Sequence, residues 1–212
     1  VSSIRLIDPK GTEVSGRQTD DSNQTITWEL SSPLLTDGSA DGTYTIKITV
    51  VDNTGASADY NTTFLYDSIA PSIIKTVPAA NASLYEDISQ VSVQLSDGEG
   101  SGVDLKGTDV KLQGPKAQVQ ANRSDGANNT ITLSFPKLSE TGNYFIQITP
   151  KDRAGNVGYL TQVKFSYVLK APAVKSVKLT NRDYIHELNS IEAVLEDRSG
   201  IGLDLSETGS TI

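Results

Sequence analysis

The feature that most constrains the fold is a long internal repeat. Residues 41–55 (DGTYTIKITVVDNTG) recur as residues 140–155 (ETGNYFIQITPKDRAG), and residues 91–105 recur as residues 191–205. The copies lie about 100 residues apart, which is the size of a whole domain and much longer than a solenoid unit. The sequence therefore predicts a segment of a domain array.

The copy at residues 71–171 is complete and consists of short segments in which apolar and polar residues alternate. This pattern is typical of strands that bury one face. A first strand is predicted near residues 73–77, and six more are marked by Val91, Val93 and Leu95; Val110 and Leu112; Val119; Ile131, Leu133 and Phe135; Tyr144, Ile146 and Ile148; and Val163, Phe165 and Tyr167. Turn-rich stretches such as residues 97–102 and 124–126 separate them. Seven short strands in about 100 residues predict an all-β, immunoglobulin-like sandwich with Greek-key connections.

One tyrosine in each copy strengthens this prediction. Tyr144 precedes the inward-facing Ile146 by two residues, and Tyr44 precedes Ile46 in the same way. This is the tyrosine-corner position, where the hydroxyl hydrogen-bonds to the backbone a few residues upstream. The isoleucines occupy the place of the disulfide cysteine of antibody domains, and the chain has no cysteine. We therefore expect burial alone to hold the sandwich together.

The first and last copies are cut. Residues 4–9 resemble residues 110–115, so the chain opens in the third strand of a repeat, whereas its final segment contains only the first strands of another. We therefore predict three units: the C-terminal part of a repeat (1–70), a complete domain (71–171) and the N-terminal part of a further repeat (172–212). Both junctions end in Ala-Pro. Because proline fixes φ and extends its predecessor, we expect stiff linkers and a rod.

Half a sandwich cannot bury its inner faces, and the sequence leaves two explanations open. The one we favour is that the chain is a fragment of a longer array, so that the missing strands belong to the same natural chain. In the alternative, the final segment of one molecule completes the opening segment of another by strand complementation, which produces a filament or a closed oligomer. A well-folded monomer of 22.6 kDa would exclude the second explanation.

The chain resembles the bacterial Ig-like domains that are repeated in large surface adhesins, S-layer-associated proteins and multi-modular extracellular enzymes. The resemblance rests on Gly142, Tyr144, Ile146, Ile148, Asp152, Ala154, Gly155, Asn156, Ala171 and Pro172, and more loosely on Gly42, Tyr44, Ile46, Ile48, Asp52, Gly55, Ala70 and Pro71. It implies an extracellular or cell-surface location and tandem Ig-like sandwiches. It implies little about function, because this fold serves many roles.

Composition excludes several classes of function. The net charge is −8 with no basic cluster, which argues against nucleic-acid binding. No stretch approaches the roughly 20 apolar residues of a membrane span, and residues 1–20 lack the apolar core of a signal peptide. A phosphate loop, a nucleophile elbow and a dinucleotide-binding turn are also absent. We therefore predict no catalytic site and no cofactor, apart from the calcium considered next.

Loop 97–104 is the best candidate for a metal site. Asp97, Glu99 and Asp104 place three carboxylates within eight residues, and calcium prefers such oxygen ligands. The spacing lacks the EF-hand pattern, and a flexible loop is the interpretation that we favour. For Asp152 we favour a turn over a calcium loop, because one carboxylate cannot supply about six oxygens. Asp67, at the first junction, is a further candidate.

The leading function is structural: a stalk or assembly segment of a surface protein, which contacts neighbouring Ig-like domains, copies of itself or a host or cell-surface ligand. The alternative is an accessory carbohydrate-binding module of a multi-domain extracellular enzyme. Sugar binding needs exposed aromatic side chains on one face, whereas most tyrosines are predicted to lie at inward or junction positions. Trp28 is predicted to pack in the core at the place of Leu133, and the lone His186 to lie at the surface.

Overall fold

The computed structural model describes residues 1–20, 24–178, 184–198, 203 and 205, and all of its regular elements are strands. The first repeat (residues 1–70) contains β1 (Ser3–Ile7), β2 (Gly16–Asp20), β3 (Ile26–Leu30), β4 (Gly42–Val51) and β5 (Ser57–Tyr66). The second repeat (residues 71–171) contains β6 (Ser72–Val77), β7 (Ser83–Leu84), β8 (Gln90–Ser96), β9 (Asp109–Gln113), β10 (Asn122–Gly126), β11 (Thr130–Ser134), β12 (Gly142–Thr149) and β13 (Thr161–Tyr167). The third repeat (residues 172–212) contains β14 (Ala173–Val177) and β15 (Ala193–Glu196).

The second repeat is an immunoglobulin-like sandwich, as predicted. One sheet has the strand order β6-β8-β11-β10, and the other has the order β7-β13-β12-β9. All neighbours are antiparallel except β7 and β13. The predicted first strand is β6, and it ends before Pro78, which has no amide hydrogen with which to continue the ladder. The chain then crosses to the second sheet as β7.

The core lies between these sheets, and most of its members are inward residues that alternation predicts, whereas Val103 and Leu138 lie outside the strands. Its buried members are Val91, Val93, Leu95, Val103, Val110, Leu112, Ile131, Leu133, Phe135, Leu138, Tyr144, Ile146, Ile148, Phe165 and Tyr167. Both tyrosine corners are present. The Tyr144 hydroxyl donates to the Glu140 carbonyl at 2.9 Å, and the Tyr44 hydroxyl donates to the Ala40 carbonyl at 2.8 Å.

Two local predictions for the second repeat are wrong. Val119 is not in a strand: a tight loop folds it back onto β9, where its amide donates to the Leu112 carbonyl at 2.8 Å. Residues 124–126 form the end of β10 rather than a turn. The turn is made by Asn128 and Asn129, whose φ values of 55° and 52° suit a tight hairpin. All of β10 is exposed, so it carries no apolar alternation from which to predict it.

The first and third repeats have fewer described strands than the second. In the first repeat, β1, β4 and β5 form one sheet and β2 and β3 form another, while β14 and β15 of the third repeat form a two-stranded sheet. No described pairing joins strands of different repeats. The boundaries at residues 70 and 171 remain a prediction. The end of the third repeat, from residue 206 onward, falls outside the described residues.

Candidate functional site

The linker from the first to the second repeat is tied to both. On the side of the second repeat, Asp67 is 8% exposed, and its Oδ2 accepts a hydrogen bond from the Ser101 amide at 2.6 Å. Its backbone carbonyl accepts the Asn156 side-chain amide at 2.9 Å. Pro71, which ends the linker, is buried. The linker is therefore held against two loops of the second repeat.

The next linker residue is bound to the first repeat. The Ser68 hydroxyl donates to Asp41 Oδ1 at 2.6 Å, and the Ser68 amide donates to the same carboxylate at 3.1 Å. The Ser68 hydroxyl oxygen also accepts the Gly38 amide at 3.2 Å. Adjacent linker residues thus bond to opposite repeats, which leaves little freedom for rotation between them.

Three carboxylates converge at this junction. Oxygen atoms of Asp67, Asp97 and Asp152 all lie within 4.8 Å of one another, and this is the only such group of metal-ligating side chains among the described residues. The residues come from the linker, from the loop after β8 and from the turn after β12. Glu99 and Asp41 line the cleft of about 630 Å³ beside them. The junction is therefore strongly acidic.

Asp152 organises the turn that supports this cluster. It is 1% exposed. Its Oδ1 accepts the amides of Gly155 and Asn156 at 2.7 and 2.8 Å, and its Oδ2 accepts the Asn156 side-chain amide at 2.8 Å. Gly155 has φ 102°, a conformation that favours glycine. These contacts are those of a turn, the interpretation favoured from the sequence, and they use Asn156 as a bridge to the linker.

The carboxylates differ in proton affinity. Burial raises the pKa of Asp97, and the negative charges of Asp67 and Asp152 raise it further, although the Gly102 amide opposes the change. Burial also acts to raise the pKa of Asp67, but hydrogen bonds from Ser101 and Ile69 outweigh it and lower the pKa overall. Asp97 therefore protonates more readily than Asp67.

The calcium prediction matches this arrangement only in part. Of the predicted ligands Asp97, Glu99 and Asp104, only Asp97 belongs to the cluster. Asp104 instead caps a turn, with its Oδ1 accepting the Gly107 amide at 3.0 Å. Asp67 and Asp152 were considered separately in the sequence, which gives no signal that they meet. Calcium binding remains a prediction.

A different kind of site is the open inner face of the first repeat. A cleft of about 390 Å³ lies between its two sheets, lined by Leu6, Ile26, Trp28, Leu30, Ile46 and Phe64 among others. Phe64 is 39% exposed, whereas Phe165, its counterpart in the second repeat, is fully buried. Each ring stacks on the corner tyrosine of its own repeat at 5.4 Å. The phenylalanine ring that stacks on the corner tyrosine is thus covered in the second repeat and open in the first, whereas both corner tyrosines are buried.

Trp28 lies at the predicted inward position, facing this cleft. Its indole nitrogen is buried and, within the described part of the chain, has no hydrogen-bond partner. The ring packs closely over Gly16, where an added Cβ would come within 2.4 Å of the nitrogen. His186 is exposed, as predicted. In the described residues, no helix is long and apolar enough to cross a membrane.

Comparison with known proteins gives no family. No family model and no curated protein matches the chain. Among solved structures, PcoC, a methionine-rich copper resistance protein from Escherichia coli, is 14% identical over 47% of this chain and 100% of its own, with a TM-score of 0.40. A tetra-tandem repeat in the extending region of a large adhesion protein is 17% identical over 84% of this chain and 45% of its own, with a TM-score of 0.35. The fibronectin(III)-like modules of Clostridium thermocellum CbhA are 18% identical over 77% of this chain and 76% of their own, with a TM-score of 0.33. Similarity at this level concerns the fold alone.

Proposed function

We propose that the chain is a structural segment of an extracellular surface protein, which acts as a stalk or spacer through contacts between Ig-like domains. The observation that carries this proposal is the linker whose neighbouring residues bond to opposite repeats. Asp67 is held by Ser101 and Asn156 of the second repeat, and Ser68 is held by Asp41 of the first. A spacer must transmit orientation from one domain to the next, and a linker fixed on both sides does so.

The test is the distribution of distances across the junction. Since the chain has no cysteine, spin labels can be attached at Lys10→Cys in the first repeat and at Ser124→Cys in the second, both exposed. We expect one narrow distribution by pulsed electron paramagnetic resonance. Asp41→Ala removes the acceptor of Ser68 and should broaden it. Asp37→Ala is the matched control, because Asp37 bonds only to Ser39 in the described contacts.

A broad distribution in the parent chain, or the same width in all three proteins, would exclude a stiff spacer. The extracellular location itself rests on the resemblance described from the sequence. It is tested by labelling intact cells with a membrane-impermeant reagent or antibody.

Carbohydrate binding is the alternative, and the exposed tyrosines make it worth testing. Tyr60, Tyr85, Tyr159 and Tyr184 are 60%, 61%, 95% and 102% exposed, so half of the eight tyrosines lie at the surface. This is more than the sequence predicts. Tyr60 lies in the first repeat, Tyr85 and Tyr159 lie in the second, and Tyr184 lies in the third. Binding on a glycan array that is lost in Tyr159→Ala would favour this alternative over a spacer.

A further inference from the structure

One sequence motif has no part in the proposed function. It is the acceptor motif for N-linked glycans, in which serine or threonine follows an asparagine two positions later. The motif begins at Asn23, Asn61, Asn81, Asn122 and Asn128. We propose that Asn122, the first residue of β10 in the second repeat, carries an N-linked glycan. This inference rests on the proposed extracellular location, because such glycans are attached to the surfaces of secreted proteins.

Every other asparagine of the second repeat has a structural role. The Asn156 side-chain amide bridges the linker and the turn after β12. The Asn143 side-chain oxygen accepts the Ser166 hydroxyl at 2.9 Å. Three more occupy the left-handed region, which asparagine adopts more readily than most residues. They are Asn81, Asn128 and Asn129, with φ values of 61°, 55° and 52°.

Asn122 has no such role. It is exposed, it does not have a positive φ, and none of the described hydrogen bonds involves its side chain. Asparagine is also depleted in β-strands, because its short polar side chain packs poorly on a pleated surface. The fold therefore does not account for an asparagine at this position, and its side-chain amide is available for modification.

The asparagine and the serine of this motif point to solvent on the same side of the sheet. Asn122 lies opposite Ser134 of β11, and Ser124 lies opposite Thr132. Ser134 and Thr132 alternate with the buried core residues of β11. Because successive side chains of a strand face opposite sides, Asn122 and Ser124 share the outer face. A transferase can therefore reach both groups from one direction.

Arg123, the middle residue of the motif, faces the other way. Its Nη1 donates to the Thr108 carbonyl at 2.7 Å, and its Nη2 donates to the Leu105 carbonyl. Its Nε donates to Asp125 Oδ1 at 2.9 Å. These contacts anchor β10 through the one residue of the motif that glycosylation does not specify.

β10 is also the strand of its sheet that is most easily reached. It lies at the edge, and all five of its residues are exposed. Moving an inner strand such as β8 would expose core side chains at roughly 25 cal/mol per Å² of apolar surface. Moving β10 exposes almost none, so the segment can enter a transferase active site at little cost.

The surface around Asn122 suits a neighbouring sugar. The outward residues of β8, β10 and β11 carry no charge, and all but one are polar. They are Gln90, Ser92, Gln94, Ser96, Asn122, Ser124, Gly126, Thr130, Thr132 and Ser134. Their hydroxyl and amide groups can both donate and accept hydrogen bonds, as sugar hydroxyls do.

The corresponding face of the first repeat is different. The pair Asn122 and Ser134 is replaced there by Arg17 and Glu29, which form an ion pair at 2.9 Å. Asn61 is exposed in a strand of the first repeat, but it lies opposite Lys47. An uncharged face with an unused asparagine is thus a property of the second repeat.

The reaction joins Asn122 to an activated sugar. The Asn122 Nδ2 forms a bond to C1 of a lipid-linked glycosyl diphosphate. The bond from C1 to the diphosphate oxygen breaks, and the lipid diphosphate leaves with the electron pair. The amide nitrogen loses one proton to a base of the transferase. The Ser124 hydroxyl is unchanged and serves recognition, as the motif requires.

Peptide mapping by mass spectrometry tests this proposal on protein isolated from the cells that make it naturally. Trypsin cleaves after Lys116, Arg123 and Lys137, so Asn122 lies in peptide 117–123 and Asn128 in peptide 124–137. The same chain produced in a cytoplasm without such a transferase gives the unmodified masses. Fragmentation of the peptides locates any added mass.

We expect peptide 117–123 of the natural protein to be heavier by whole sugar residues. Ser124→Ala keeps the asparagine but removes the motif, so the added mass should be lost. Ser124→Thr restores the motif and should retain it. Ser134→Ala changes the outward residue opposite Asn122, and as the matched control it should leave the glycan in place. Equal melting temperatures of the cytoplasmic forms establish that the variants fold alike.

An unmodified peptide 117–123 in the natural protein would overturn the proposal, as would an added mass that persists in Ser124→Ala. The proposed location is judged separately by the labelling of intact cells. Protein that is labelled at the surface but unmodified at Asn122 contradicts the glycan alone and leaves the spacer function intact. Protein that is not labelled contradicts the extracellular location, whatever the mass of the peptide.

Discussion

The Tyr167 hydroxyl donates a hydrogen bond to Asp87 Oδ1 at 2.9 Å, which ties the last strand of the second repeat to the segment before β8. The tyrosine is 1% exposed, and its ring meets that of Tyr144 nearly at right angles, with 6.4 Å between centroids. Burial, with the hydrogen bond and charge of Asp87, raises the pKa of Tyr167 to about 12. The same hydrogen bond, assisted by Lys137, lowers the pKa of Asp87.

The raised pKa of Tyr167 predicts a loss of stability in alkali. An unfolded tyrosine titrates near pH ~10. The stabilisation is therefore fully present below that pH and is lost as the pH rises towards 12. We expect the melting temperature of the second repeat to fall steeply over this window, and Tyr167→Phe to flatten the fall. The exposed Tyr85→Phe should leave the profile unchanged, and an equal effect of both variants would contradict the assignment.

The buried turn residue Asp152 should be the most sensitive carboxylate of the junction. Asp152→Ala removes the acceptor of three hydrogen bonds and leaves their donors unpaired, which we expect to cost about 3 kcal/mol of unfolding free energy. Its counterpart in the first repeat, Asp52, is exposed and serves as the matched variant, for which we expect a smaller loss. Urea denaturation of both proteins measures this difference, and equal losses would refute it.

The negative charge of Asp97 should destabilise the folded protein. The pKa of Asp97 is higher in the folded protein than in the unfolded chain, so at neutral pH its negative charge lowers the free energy of unfolding. This loss of stability disappears as the pH falls through the folded pKa and the carboxylate is protonated. Asp97→Asn should therefore melt at a higher temperature than the parent at pH 7, and the difference should vanish in acid. Asp104→Asn, outside the carboxylate cluster, should show no such gain. A lower melting temperature for Asp97→Asn at pH 7 would contradict this prediction.

Gly142 is required at the start of β12 for a steric reason. Its φ is +154°, and a Cβ added there would lie 2.6 Å from Pro115 Cγ. We expect Gly142→Ala to reduce the unfolding free energy by about 1–3 kcal/mol. Gly126→Ala is the control, because its nearest contact is an ordinary 3.6 Å to the Thr130 carbonyl. Thermal melting compares the two variants, and equal stability would rule out the clash.

The calcium prediction now has a sharper test. If the loop binds calcium, the cation should raise the melting temperature of the parent chain, and chelation should reverse the rise. Since only Asp97 of the predicted ligands lies in the cluster, we expect Asp97→Asn to abolish the rise and Asp104→Asn to retain it. The absence of any rise, or its loss in Asp104→Asn alone, would contradict this assignment.

Alternation made most of the second repeat predictable. Val91, Val93 and Leu95 point inward because successive side chains of a strand face opposite sides, and all three are buried. β10 was missed because it is held by backbone pairing alone and all its side chains are exposed. β7 was missed because two residues are too few to show a period.

The individual acidic residues of the junction could be predicted from the sequence, but their convergence could not. Asp67, Asp97 and Asp152 each stood out in the sequence as residues of a linker, a loop and a turn. Their convergence depends on two tertiary contacts, the Asn156 bridge to Asp67 and the bond from Ser101 to Asp67. Sequence separation conceals such contacts, since Asn156 lies 89 positions from Asp67.

The repeat, the fold class and the tyrosine corners could be predicted from the amino-acid sequence, because they follow from local periodicity and spacing. Which carboxylates meet, and which apolar side chains of the described residues stay exposed, became visible only in the folded chain. The fold also shows that β14 and β15 pair in the register of β6 and β8. Burial and carboxylate clustering are properties of surfaces brought together from distant parts of the chain, and no local pattern encodes them.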